Sequence, residues 1–183
     1  MLEAAGVPFE AVSAELDEES AKAGLAAAGF DARGVAEELA QLKALSVAAG
    51  PGDLVLGADQ TLELEDGTML SKPADPEELR AQLRTMSGRT HQLHSAAVIV
   101  EDGETCWWQS ESVALAMRPL SDSFIEDYLD REWEHVRWSV GGYRIEGPGV
   151  QLFDRVEGSH FAVLGLPLLP LLAYLRDRGV IAS

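Results

Sequence analysis

The sequence predicts an α/β fold with a mixed central sheet flanked by helices. Three observations carry that expectation. Segments of helical and of strand periodicity alternate along the chain, Asp-Gly pairs at 66–67 and 102–103 fall between strand-like runs, and the hairpins they signal place antiparallel neighbours in the sheet. A chain of 183 residues suits one domain, with room for two lobes around a cleft, and buries roughly 70% of its unfolded surface. No internal repeat or linker interrupts it.

Taken in order, an acidic, alanine-rich segment follows the first ten residues and leads to a helix at residues 32–48. Asp31 is placed to cap it, and Val35, Leu39, Leu42 and Leu45 recur at helical spacing. Gly50, Pro51 and Gly52 end it. Residues 54–58 form a short apolar run of the kind found in strands buried on both faces, which puts Asp59 at a strand end. Residues 62–64 and 69–70 flank the Asp66-Gly67 turn as a hairpin.

Asp75, Pro76 and Glu78 then read as N-cap, first helical residue and capping-box partner, opening a helix with Leu79, Leu83 and Met86 on its apolar face. Strands are expected at residues 92–100, 105–109 and 112–118, with a short helix after Ser121. A segment with Trp133 and Trp138 and a glycine-rich stretch at residues 141–149 follow. Pro167 starts a closing helix striped by Leu168, Leu171, Leu172 and Leu175, with Arg176 and Arg178 in its last turn and Gly179 as the stop.

Composition narrows the function. The formal charge is -17, from 14 basic and 31 acidic residues, which excludes general nucleic-acid affinity because that relies on many cationic phosphate contacts. An anionic substrate would need a few lysines and a divalent cation close at hand. The single cysteine, Cys106, rules out an intrachain disulfide and fits a reducing compartment, so the cytoplasm is the expected location. The longest apolar run, residues 161–175, is broken by Gly165, Pro167 and Pro170, and no membrane segment is expected.

Ligands of open α/β sheets sit beyond strand carboxyl ends, which draws attention to Gly57-Ala58-Asp59-Gln60. From position alone Asp59 serves equally well as a ligand group or as a turn cap. Lys72, held extended by Pro73, suits a phosphate, although Ser71-Lys72-Pro73 is also ordinary loop chemistry. Lys43 lies on the leucine-rich side of its helix, where a snorkelling stem is the simpler reading. His91 and His94 are three apart on a strand and point to opposite faces, which makes them poor joint metal ligands. Nucleophile-elbow, Walker and Gly-x-Gly-x-x-Gly motifs are all missing from the sequence.

Read in sequence, several short blocks combine. They are Asp17-Glu18, Leu39 to Ala44, Gly57-Ala58-Asp59-Gln60, Lys72-Pro73, Leu83 with Ser87-Gly88-Arg89-Thr90-His91, Gly141-Gly142-Tyr143 with Glu146-Gly147, Glu157-Gly158 and Gly165-Leu166-Pro167-Leu168. Together they resemble the successive blocks of the Maf family, over nearly the whole chain. The resemblance implies an elongated, two-lobed, ITPase-like α/β architecture with a cleft. It also implies hydrolysis of a nucleoside triphosphate between its α and β phosphates with a divalent metal, Mg or Mn.

Carried over by position, the resemblance makes Asp59 the proton acceptor and a metal ligand with Glu18, Lys43 and Lys72 the phosphate lysines, and Gln60 and Glu146 the residues linked to base selection. An acceptor-only Glu146 suits the N–H donors on a guanine edge, so a modified nucleotide such as 7-methyl-GTP is favoured over dTTP and UTP. The rival from another class is a non-catalytic nucleotide-binding protein in cell-division control. Met1 to Phe9 match the family's first helix, so the first strand and its Ser-x-Ser-Pro-Arg-Arg type loop are expected to be missing and the native protein to extend upstream, which intact-mass analysis of native material tests. The Trp- and Arg-rich residues 131–140 stand where the family usually has a shorter polar loop and read as a core patch, a dimer contact or a lid, with a homodimer as the assembly to look for.

Overall fold

The computed structural model describes residues 1–182. Among the described residues six helices and five strands follow one another as α1 (Glu18–Ala27), α2 (Ala32–Leu45), β1 (Leu54–Leu64), β2 (Met69–Leu70), α3 (Pro76–Met86), β3 (Thr90–Glu101), β4 (Glu104–Met117), α4 (Asp122–Val136), β5 (Phe153–Glu157), α5 (His160–Val163) and α6 (Leu168–Asp177). The strands form one sheet in the order β2-β1-β3-β4-β5. As the Asp66-Gly67 signal requires, β1 and β2 pair antiparallel with Leu62 opposite Leu70; β5, which the sequence did not signal, pairs antiparallel with β4, with Leu115 opposite Val156. No helix among the described residues is long and apolar enough to cross a membrane.

The chain divides into two compact units. The first comprises Met1–Asp59, Ser95–Glu111 and the residues from Gly165 on; the second comprises Gln60–His94 and Ser112–Leu164.

In the first unit α2 lies on the sheet through alanines. Asp31 caps it as expected, accepting from the Gly34 amide at 2.7 Å. Val35 and Leu39 are buried as the spacing predicts, together with Ala36, Ala40 and Ala44, which pack against Ala96, Val98, Val100 and Val55, while Leu45 is exposed and Leu42 only partly buried. The stripe expected from spacing therefore holds at Val35 and Leu39 and gives way to Ala40 and Ala44 in the last turns. Gly57 explains why: a Cβ there would stand 2.1 Å from the Ala40 carbonyl oxygen and 3.0 Å from the Ala44 side chain. Only small residues on both sides permit that approach.

The core of the second unit is built on α3. Leu79, Leu83 and Met86 of α3 are fully buried, joined by Leu62, Leu93, Leu115, Ile125, Leu152 and Tyr143 among others. The Asp75 cap on the Glu78 amide, at 2.8 Å, is as the sequence predicts. Other boundaries differ. The two strands expected at 105–109 and 112–118 are one strand, β4, because nothing between them breaks an extended backbone. The short helix after Ser121 runs for 15 residues and absorbs Trp133, which packs on the core, whereas Trp138 beyond its end is 73% exposed. Two short 3-10 turns, Val140–Gly142 and Pro148–Leu152, occupy the glycine-rich stretch.

His91 and His94 sit in structural networks of this unit. His94 pairs through Nδ1 with Ser112 Oγ at 2.8 Å and through Nε2 with Glu63 Oε2 at 2.9 Å. His91 is almost fully buried, with Nε2 2.7 Å from Tyr143 Oη, and burial pushes its pKa down to about 4. A base whose folded pKa is depressed stabilises the fold fully above its unfolded value of about 6.5 and loses that contribution as pH falls toward 4. We expect urea midpoints to fall over this window by the equivalent of roughly 3 kcal/mol. The His91→Phe variant should show a flatter profile there, and an unchanged slope would show that other groups set it.

Candidate functional site

Asp59 is not at a strand end. It is the sixth of the eleven residues of β1, on the same face as Gly57 and therefore under α2. The close helix-to-sheet contact at Gly57 lowers the next stretch of α2 onto Asp59. Lys43, one position before Ala44, consequently reaches it: Lys43 Nζ donates to Asp59 Oδ1 at 2.5 Å. The same ammonium lies 3.1 Å from Glu18 Oε2 at the first turn of α1, which Asp17 caps by accepting from the Ser20 amide. Three residues from three elements of the first unit thus form a carboxylate–lysine–carboxylate cluster.

The cluster is graded in exposure. The Asp59 side chain is 7% exposed, Lys43 21% and Glu18 39%, so the site opens to solvent on the Glu18 side. Burial works against the charge on Lys43, but the Asp59 carboxylate beside it, reinforced by Glu18, outweighs that and holds the lysine pKa above its ordinary value. Lys43 is a paired cation on a polar cluster, not the snorkelling stem that its helix position suggests. No helix-spacing rule could have shown this, because the partner is supplied by a different strand.

Two carboxylates within reach of one ammonium suit a hard divalent cation. Mg²⁺ is commonly bound by one or two carboxylates, with phosphate and water completing its octahedron. Among the described residues no group of three or more His, Cys, Asp or Glu is arranged to hold a metal alone. Glu18 and Asp59 are the carboxylates of this cluster that could share in holding such a cation, with phosphate and water supplying the rest of its shell.

The remaining candidates belong to the second unit. Lys72 is exposed just after β2. Its loop is held from behind, because Pro73 is buried and Gln82 Nε2 of α3 donates to the Ser71 carbonyl at 3.1 Å. Gln82 was not singled out by the sequence, although a glutamine among Leu79, Leu83 and Met86 on a buried helix face is the signal that could have found it. Gln60 Nε2 donates to the carbonyls of Ala162 and Val163 at 2.9 and 3.2 Å, tying β1 to α5. Glu146 is exposed in the segment between the two 3-10 turns.

Fold and cluster define a mixed α/β protein with a lysine clasped between two acidic side chains on separate elements. The chain belongs to the Maf family: the family described as Maf-like protein matches residues 1–178. A protein of Sphingopyxis alaskensis named nucleoside triphosphate pyrophosphatase is 51% identical over 181 residues, spanning 98% of this chain and 91% of that protein. A Caulobacter vibrioides protein of the same name is 47% identical, over 99% of this chain and 90% of its own length. A Brucella suis protein named 7-methyl-GTP pyrophosphatase is 45% identical, over 99% and 91%.

Proposed function

We propose that the chain is a nucleoside triphosphate pyrophosphatase, hydrolysing the anhydride between the α and β phosphates to release a nucleoside monophosphate and pyrophosphate. The observation that carries this reading is Lys43 held between Asp59 and Glu18. In a chain of charge -17, a triphosphate needs a local cation to approach, and Lys43 is a cation placed beside two acidic groups. When phosphate oxygens replace Asp59 as its partner, Lys43 orients the phosphate chain and Asp59 is left free to take a proton from the attacking water. A divalent cation bound by Glu18 and Asp59 would neutralise charge developing on the leaving pyrophosphate. Lys72 contributes a second phosphate contact, and Gln60 and Glu146 read the base.

The base reading favours a guanine edge such as that of 7-methyl-GTP, since Glu146 offers only acceptors to the ring N–H donors. The name of the Brucella suis relative supports it. Pyrophosphate release measured with dTTP, UTP, GTP and 7-methyl-GTP in the presence of Mg²⁺ or Mn²⁺ tests both levels. Fastest turnover of 7-methyl-GTP, abolished by chelator, is the expected outcome. A clear preference for pyrimidines rejects the base assignment, and no release from any nucleotide rejects the activity.

A further inference from the structure

The segment that carries Glu146 is braced from one side by α4. Glu132 of α4 is 5% exposed, and its Oε2 accepts from Arg144 Nε at 3.1 Å. Tyr128, one turn earlier on the same helix, donates its hydroxyl to the Gly142 carbonyl at 3.1 Å. The glycines that follow are shaped to Arg144: a Cβ on Gly149 would lie 2.5 Å from the Arg144 carbonyl oxygen, and one on Gly147 would lie 2.9 Å from its Nε. Ile145 packs on the core, so the backbone is pinned on both sides of the exposed Glu146.

These contacts have an energetic consequence. A carboxylate as buried as Glu132 is costly without its cation, and Arg144 is the partner that faces it from the segment. Any displacement of residues 144–147 would strand that charge. The backbone on either side of Glu146 therefore has one low-energy arrangement before a nucleotide arrives, and base recognition is spared the entropy of ordering a loop.

We propose that Glu132 and Arg144 are positioning residues for base selection: their ion pair fixes the direction in which Glu146 is presented, without touching the nucleotide. This rests on the reading of Glu146 given above and adds how its geometry is held. A support of this kind acts on discrimination between bases and on KM, and leaves the chemistry at the phosphates to proceed at its own rate.

The test is steady-state kinetics on 7-methyl-GTP and dTTP with wild type, Arg144→Gln, Glu132→Gln and Arg144→Lys, together with hydrogen exchange of the 145–150 amides. Arg144→Gln should shrink the kcat/KM ratio between the two nucleotides by on the order of tenfold, through KM, with kcat nearly unchanged and faster exchange in the segment. Glu132→Gln should do the same, covering the case in which Arg144→Gln fails to fold. Arg144→Lys, which keeps a cation opposite Glu132, should retain most of the preference. Equal losses on both nucleotides, or a preference that survives Arg144→Gln intact, overturn the proposal alone. A wild-type enzyme that turns over nucleotides without regard to base, or not at all, overturns it together with the reading of Glu146.

Discussion

Asp59→Asn is expected to lower kcat by about three orders of magnitude while leaving the protein folded, because a positioned general base contributes roughly 10²–10⁴-fold and an amide cannot accept the proton. The variant is close to isosteric. Its side-chain oxygen can still accept from Lys43, which also keeps Glu18, so the packing of α2 over Gly57 has no reason to change. KM should move by less than tenfold, since the proposed phosphate contacts fall to the lysines. Pyrophosphate-release kinetics alongside thermal melting would check this. Residual activity within tenfold of wild type would remove Asp59 from the proton-accepting role.

Lys43→Met should affect stability as well as activity. Removing the ammonium leaves the nearly buried Asp59 carboxylate without its 2.5 Å partner and within the same cluster as Glu18. Breaking a buried pair from one side typically costs about 3 kcal/mol or more, and a chain of this length should melt roughly 8 °C lower as a result. The pH dependence has a defined sign. The lysine pKa is raised in the fold, so its contribution is complete below the unfolded value of 10.5 and disappears as pH rises through the folded one. The gap in stability between wild type and variant should accordingly be wide at neutral pH and close only in strong alkali. Turnover should fall together with an increase of at least tenfold in KM for the triphosphate, a charge-assisted contact having been lost. A variant as stable as wild type would show the pair to be screened by solvent.

Features encoded locally were legible in the sequence. Asp31 and Asp75 each cap a helix through a side chain three residues from the amide it accepts from, and Asp66-Gly67 makes its turn within four residues. Such signals need no tertiary partner. The α3 face of Leu79, Leu83 and Met86 was equally readable, because a strongly amphipathic helix has one way to bury its stripe.

What was not legible depends on partners distant in sequence. The end of β1 was misplaced because the apolar run stops at Ala58, although the strand continues through Asp59, Gln60 and Thr61 to the β2 hairpin. On α2 Val35 and Leu39 are buried as spacing implies, but in the last turns Ala40 and Ala44 take the place of Leu42 and Leu45, and that choice is made by the missing side chain of Gly57 on another element. The same contact decides the role of Lys43. β5 escaped notice because Asp154, Arg155 and Glu157 break any apolar alternation; its register comes from Leu115 and its neighbours on β4. The resemblance of short blocks named Glu18, Lys43, Asp59 and Lys72 together; the first three are in contact in the first unit, which no periodicity could have indicated, and Lys72 belongs to the second. Lys72, Gln60 and Glu146 are held in the other unit by supports of their own.

A crystal structure of the wild-type protein with an α,β-methylene nucleoside triphosphate and Mg²⁺ would test the central claim most directly. The account predicts Lys43 Nζ within hydrogen-bonding distance of a phosphate oxygen, with the cation bound by Glu18 and Asp59. A triphosphate seated elsewhere, with the Lys43–Asp59 pair intact beneath empty solvent, would contradict it.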